Sequence, residues 1–89
     1  MKAIVSVVGK DKRGIIARVS GALFEMDVNV EDISQTLMQD YFTMIMMVDL
    51  SESKLKFIEI SDRLNELGKE IGVEIRIQSE AIFQTMHKI

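Results

Sequence analysis

Residues able to do covalent chemistry are scarce in this chain. It holds one histidine, His87, and no cysteine, so disulfides, thiolate metal sites and Cys–His pairs are excluded. No nucleophile, base and orienting residue can be put together, and the sequence does not predict an enzyme or a cofactor. Glu25, Asp27, Glu31 and Asp32 offer carboxylates to a hard cation but lack the spacing of a calcium loop, so they read as a solvated face. Met38, Met44, Met46 and Met47 read as core or interface packing, since a thioether chain fills irregular gaps. The stretch that remains is Val8-Gly9-Lys10-Asp11-Lys12-Arg13-Gly14-Ile15-Ile16. It joins an apolar run to a helical pattern, and its chemistry is that of anion capture. Free amides of a first helical turn, the positive helix end and Lys10, Lys12 and Arg13 together make a seat for a small anion. Asp11 falls where an N-cap is expected, and Gly9 and Gly14 allow sharp turns and close approach. The competing reading is a strand-to-helix turn that caps its helix and does nothing more.

The elements that must position this stretch follow from periodicity. Lys2 to Val8 is β-branched and almost continuously apolar, as a buried strand would be. Arg13 to Glu25 or Met26 carries Ile15, Val19, Ala22, Leu23 and Met26 on one helical face. Val28 to Met38 or Gln39 and Phe42 to Leu50 are predicted strands around a short polar turn, hence a hairpin. The second of these is apolar at nearly every position, which predicts a central strand covered on both faces. Ser51 or Ser53 is expected to cap a helix with Phe57, Ile60, Leu64, Leu67 and Ile71 on its stripe, stopped by Gly72. Val73 to Gln78 alternates and reads as a half-exposed edge strand. The tail Glu80 to Ile89 places Ile82, Phe83, Met86 and Ile89 on one helical stripe, and His87 reads as an exposed tail residue.

That order, β-α-β-β-α-β with a C-terminal helix, predicts an α+β ferredoxin-like sandwich with an antiparallel sheet in the order 4-1-3-2. One domain spans 1–89, with its core in 1–79 and a helical tail in 80–89. The tail, or a second subunit, is expected to cover the sheet face that the helices leave open. Apolar residues make up 47% and charged residues 28% of the chain, the balance of an ordinary soluble domain. The net charge of −3 argues against nucleic-acid binding, and no apolar stretch is long enough to span a membrane. With no cysteine and no leader-like start, the expected location is cytoplasmic. Charge is uneven: Lys2, Lys10, Lys12, Arg13 and Arg18 crowd the first part. Glu25, Asp27, Glu31, Asp32, Asp40, Asp49 and Glu52 follow with no basic residue among them. Such asymmetry is either a solvated surface or a way for two copies to pair.

This sandwich hosts many functions. RNA-recognition modules carry stacking aromatics on central strands, which strand one lacks here. Metal chaperones of this shape need two cysteines. Arg13 and Asn29 are nominally available for acylphosphatase chemistry, but the first loop does not read like that enzyme's.

At Gly9-Lys10-Asp11-Lys12-Arg13-Gly14-Ile15 the chain resembles the ACT domains, small amino-acid-binding regulatory modules. Asp11, Gly14 and Ile15 match their usual Asp or Asn, Arg-Pro-Gly and aliphatic signature, and Val28-Asn29-Val30 resembles the start of their second strand. Lys12 and Arg13 replace Arg-Pro, which makes the chain most similar to a stand-alone, single-domain branch related to the glycine cleavage system transcriptional repressor. The resemblance implies that a small amino acid or related metabolite is captured where two chains meet. The amides of Arg13, Gly14 and Ile15, with Lys12 alongside, would hold its carboxylate, Asp11 its ammonium group, and Asn29 of the partner subunit would add a hydrogen bond. Strands one and two are expected to run parallel, which puts Asp11 and Asn29 about a strand length, ~20 Å, apart. One small ligand then reaches both only across a two-fold axis. The implied protein is a homodimer, with pairing into tetramers left open, that regulates amino-acid metabolism through a separate, unidentified protein. The alternative is the same dimer serving only as a structural or protein-interaction module.

Overall fold

The computed structural model describes residues 1–10 and 13–82. Strand β1 (Lys2–Lys10) is followed by α1 (Ile15–Glu25), β2 (Asn29–Met38), β3 (Tyr41–Asp49), α2 (Phe57–Ile71) and β4 (Glu74–Ser79). The four strands form one antiparallel sheet in the order β2-β3-β1-β4, which is the expected ferredoxin-like order read from the other edge. β2 and β4 are the edges.

Strand alternation sorts the side chains. Ala3, Val5 and Val7 lie opposite Val48, Met46 and Met44 in the β1–β3 register, and Val5 and Val7 lie opposite Ile77 and Ile75 on β4. These residues face the helices and are buried with Ile15, Val19 and Leu23 of α1 and Ile60 and Leu64 of α2. Burying a large apolar side chain of this kind stabilises the fold by roughly 1.5–3 kcal/mol. Both helices lie on one side because each crossover is right-handed and returns over the same face. The other face of β3 therefore stays partly open among the described residues: Ile45 is 41% exposed. The central place expected for β3 holds, and most of the tail expected to help cover this face lies outside the described residues. Met38, grouped above with the packing methionines, is exposed at the end of β2.

Several local expectations shift. Gly9 does not turn the chain; it pairs with Phe42 inside β1, and a Cβ there would lie 2.8 Å from Val73 Cγ1. The buried Gly68 on α2 faces the same residue, since its Cβ would come 2.6 Å from the Val73 carbonyl oxygen. Val73 is thus wedged between the end of β1 and α2, fixing the end of β1 that leads into the first loop. The N-cap of helix α2 is Lys56, not a serine: the Glu59 carboxylate accepts the Lys56 amide at 3.0 Å. Ser53 instead accepts the Leu55 amide at 3.2 Å and Ser51 bonds Asp49, so both serines are used by the preceding turn. At the C-terminus of β4, residues 80–82 turn helically and the Ser79 hydroxyl accepts the Ile82 amide at 3.2 Å. The rest of the expected tail helix, with Phe83, Met86, His87 and Ile89, lies outside the described residues.

Candidate ligand-binding site

Lys10 closes β1, and Arg13 and Gly14 lead into α1, all three exposed. Asp11 and Lys12 lie outside the described residues, but the N-cap position falls on Gly14, not Asp11, so the predicted cap is corrected. Gly14 has φ 84 and ψ 5, a left-handed conformation that glycine adopts without a Cβ penalty. Helix α1 therefore starts at Ile15, two residues later than periodicity alone predicts. The Gly14 carbonyl accepts the Arg18 amide at 2.9 Å, and among the described residues no side chain caps the helix. No acidic residue stands in the first turn either. Among the described residues, the amides of Ile15, Ile16 and Ala17 have no acceptor. Three orphan donors at the positive end of a helix, with the basic Arg13 directly before the N-cap glycine in sequence, suit a carboxylate. Arg18 is engaged elsewhere, 3.0 Å from Glu70 on α2.

Next to this helix end lies a cleft of about 340 Å³, lined by Ile16, Gln35, Thr36, Leu37 and Phe42. Leu37 pairs with Phe42 across β2 and β3, so both side chains stand on the helix side of the sheet. Leu37 is left 59% exposed. Sequence reasoning missed this cleft apart from Ile16. The available signal was an apolar leucine next to Met38 at the end of a strand whose preceding residues, Ser34, Gln35 and Thr36, are polar.

Asn29 sits at the other end of the sheet. It pairs with Asp49, which pairs in turn with Lys2, whereas Lys10 pairs with Tyr41 and Tyr41 with Met38. From Lys2 to Lys10 is about 26 Å at ~3.3 Å per residue, so one chain cannot bring Asn29 to the N-terminus of α1. A bulge between Val30 and Asp32 turns Glu31 and Asp32 toward the open face together. Glu31 reaches across β3 to Lys2, with Oε1 and Nζ 3.0 Å apart, and this carboxylate holds the Lys2 ammonium above its ordinary pKa. The Asp49 carboxylate accepts the Ser51 hydroxyl at 2.6 Å and the Ser51 amide at 3.0 Å. The hydroxyl first, and then the amide, hold Asp49 below the usual carboxylate range. Among the described residues there is no cluster of acids and histidines able to hold a metal ion, and no helix is long and apolar enough to cross a membrane.

A small α+β module with an uncapped helix end after its first strand defines a class, and comparison with known proteins gives that class its name. The ACT domain family model matches residues 2–78, and the chain belongs to that family. It is 56% identical to a UPF0237 protein of Clostridium acetobutylicum over 89 residues, the whole of both chains. Among solved structures, an ACT domain protein from Streptococcus pneumoniae is similar with a TM-score of 0.83 at 48% identity, over 94% of each chain. A protein described as a glycine cleavage system transcriptional repressor is similar with a TM-score of 0.73 at 22% identity. The match covers 86% of this chain and 44% of that one, and bears on the fold alone. The ACT domain is a regulatory, ligand-binding module.

Proposed function

We propose that the protein is a cytoplasmic, non-catalytic sensor that binds a small amino acid between two copies of itself and passes the signal to a separate protein of amino-acid metabolism. The observation that carries this reading is the uncapped N-terminus of α1, with orphan amides at Ile15, Ile16 and Ala17 opening beside the cleft at Leu37. The effector carboxylate takes these amides and those of Arg13 and Gly14, with Lys12 and Arg13 lending positive charge. Asp11 receives the ammonium group, and Asn29 of the partner subunit adds a hydrogen bond.

The edge strand supports a shared site. None of the side chains of β2 is fully buried, and an uncovered strand edge is a template for pairing. If two β2 strands pair antiparallel about a two-fold axis, the Met38 end of one lies beside the Asn29 end of the other. That pairing sets the basic end with Lys10 and Arg13 against an end carrying Asp27, Glu31, Asp32 and Asp49, so opposite charges meet.

Thermal melting of the purified protein against each of the twenty amino acids, with its mass in solution recorded alongside, tests the reading. A ligand at a hundred times its Kd adds about 2.7 kcal/mol, a Tm rise of roughly 10–20 °C in a domain of this size. One clear hit on a dimer is the expected result. No shift with any amino acid, on a dimer that stays intact, refutes the sensor and leaves the interaction module.

A further inference from the structure

We infer that the effector is an α-amino acid with an aliphatic side chain, read by Ile16, Leu37 and Phe42; the inference rests on the amino-acid reading given above. Ile16 joins the two halves of the site. Its amide is one of the orphan donors of the first turn, and its side chain lines the cleft. A carboxylate held at that turn therefore has its own side chain directed at the cleft wall, one residue away. The wall is made of three hydrocarbon side chains with the uncharged Gln35 and Thr36, and among the described residues no charged side chain lines it. The basic groups Lys10 and Arg13 precede the helix in sequence and are not among the described residues that line the cleft.

This division discriminates between amino acids. The side chain of aspartate, glutamate, lysine or arginine would enter the cleft with no partner for its charge among the described residues that line it, which is unfavourable. Glycine and serine would leave the apolar wall uncovered. Ile16 is 38% exposed and Leu37 59% exposed, so an aliphatic side chain has hydrocarbon surface to cover, and each methylene it buries strengthens binding about fourfold. The cleft volume, about 340 Å³, lies at the low end of the roughly 300–1,000 Å³ of small-molecule sites. It suits a free amino acid and is small for a nucleotide.

Calorimetric titration of the full chain with each of the twenty amino acids, for the unaltered protein and for Ile16→Ala, tests the inference, with the mass in solution measured on the same samples. Valine, leucine or isoleucine is expected to bind about fifteenfold or more tighter than alanine, from two or more methylenes at about fourfold each. Aspartate and lysine are expected to give no heat. Ile16→Ala is expected to lower the ratio of leucine to alanine affinity about fourfold or more. Tightest binding of glycine, serine or a charged amino acid overturns the aliphatic reading while leaving the amino-acid sensor standing. An unchanged leucine-to-alanine ratio in Ile16→Ala, with or without a change of dimer mass, overturns the assignment of the cleft to the ligand. If no amino acid binds, the sensor and this inference fall together.

Discussion

Gly68→Ala should destabilise the protein although it replaces a helical glycine by the best helix former. In isolation the change favours α2 by about 1 kcal/mol. In the folded chain the added Cβ would lie 2.6 Å from the Val73 carbonyl oxygen and 3.4 Å from Ile75 Cγ1. The oxygen belongs to the main chain and cannot rotate away, so α2 and the start of β4 must separate by several tenths of an ångström. The Gly68 carbonyl also accepts the amides of Gly72 at 2.8 Å and Val73 at 2.9 Å, two hydrogen bonds worth about 1 kcal/mol each that the same movement strains. Overpacking of this kind costs about 1–3 kcal/mol. With both bonds weakened and the helix gain subtracted, the net loss is about 2 kcal/mol, a Tm fall of roughly 8–16 °C. Gly21→Ala is the control. It sits exposed inside α1 with nothing within 4 Å of its Cβ, and should gain about 0.5–1 kcal/mol. Urea unfolding followed by circular dichroism gives both values, provided the slope with denaturant is unchanged. If Gly68→Ala matches Gly21→Ala in sign, the wedge between Gly9, Val73 and Gly68 does not set the spacing of β1, β4 and α2.

Two further outcomes follow from local geometry. Asp27 holds φ 58 just past α1, where the Val28 amide returns to the Leu23 carbonyl at 2.9 Å. Asp27→Gly should therefore stabilise the chain by about 0.5–1 kcal/mol in the same urea assay. The Ser51 hydroxyl holds Asp49 below the usual carboxylate range, so the folded state releases this proton more readily than the unfolded chain. The stability it contributes is present above the unfolded value, near ~3.9, and is lost as pH falls through the lower folded value. An NMR titration should find Asp49 below the usual range and should find it raised in Ser51→Ala; an unmoved midpoint would contradict the assigned cause.

Much of this fold is written in local patterning. Ile4 to Val8, the apolar run from Phe42 to Val48 and the alternation at Val73, Ile75 and Ile77 mark three strands, because side chains on a strand repeat every two residues. The stripes through Ile15, Val19 and Leu23 and through Ile60 and Leu64 mark two helices, and right-handed crossovers then leave few ways to order the sheet. The loop after β1 is visible as well, since glycine and basic residues between a strand and a helix suggest an anion seat. Caps were less legible, because a cap depends on one residue's φ and ψ. Asp11 and Ser51 carry suitable oxygens, yet Gly14 and Lys56 hold the positions.

What the sequence alone determined is the class of fold and the stretch at its functional end, because both rest on short-range periodicity. Only the tertiary structure decided that α1 begins at Gly14 beside a cleft and that Leu37 and Phe42 stand together on one wall. Those features come from strand register, from the point at which α1 starts, and from one bulge between Val30 and Asp32. Each depends on residues distant in sequence meeting in space, and hydrophobic period carries no information about such meetings.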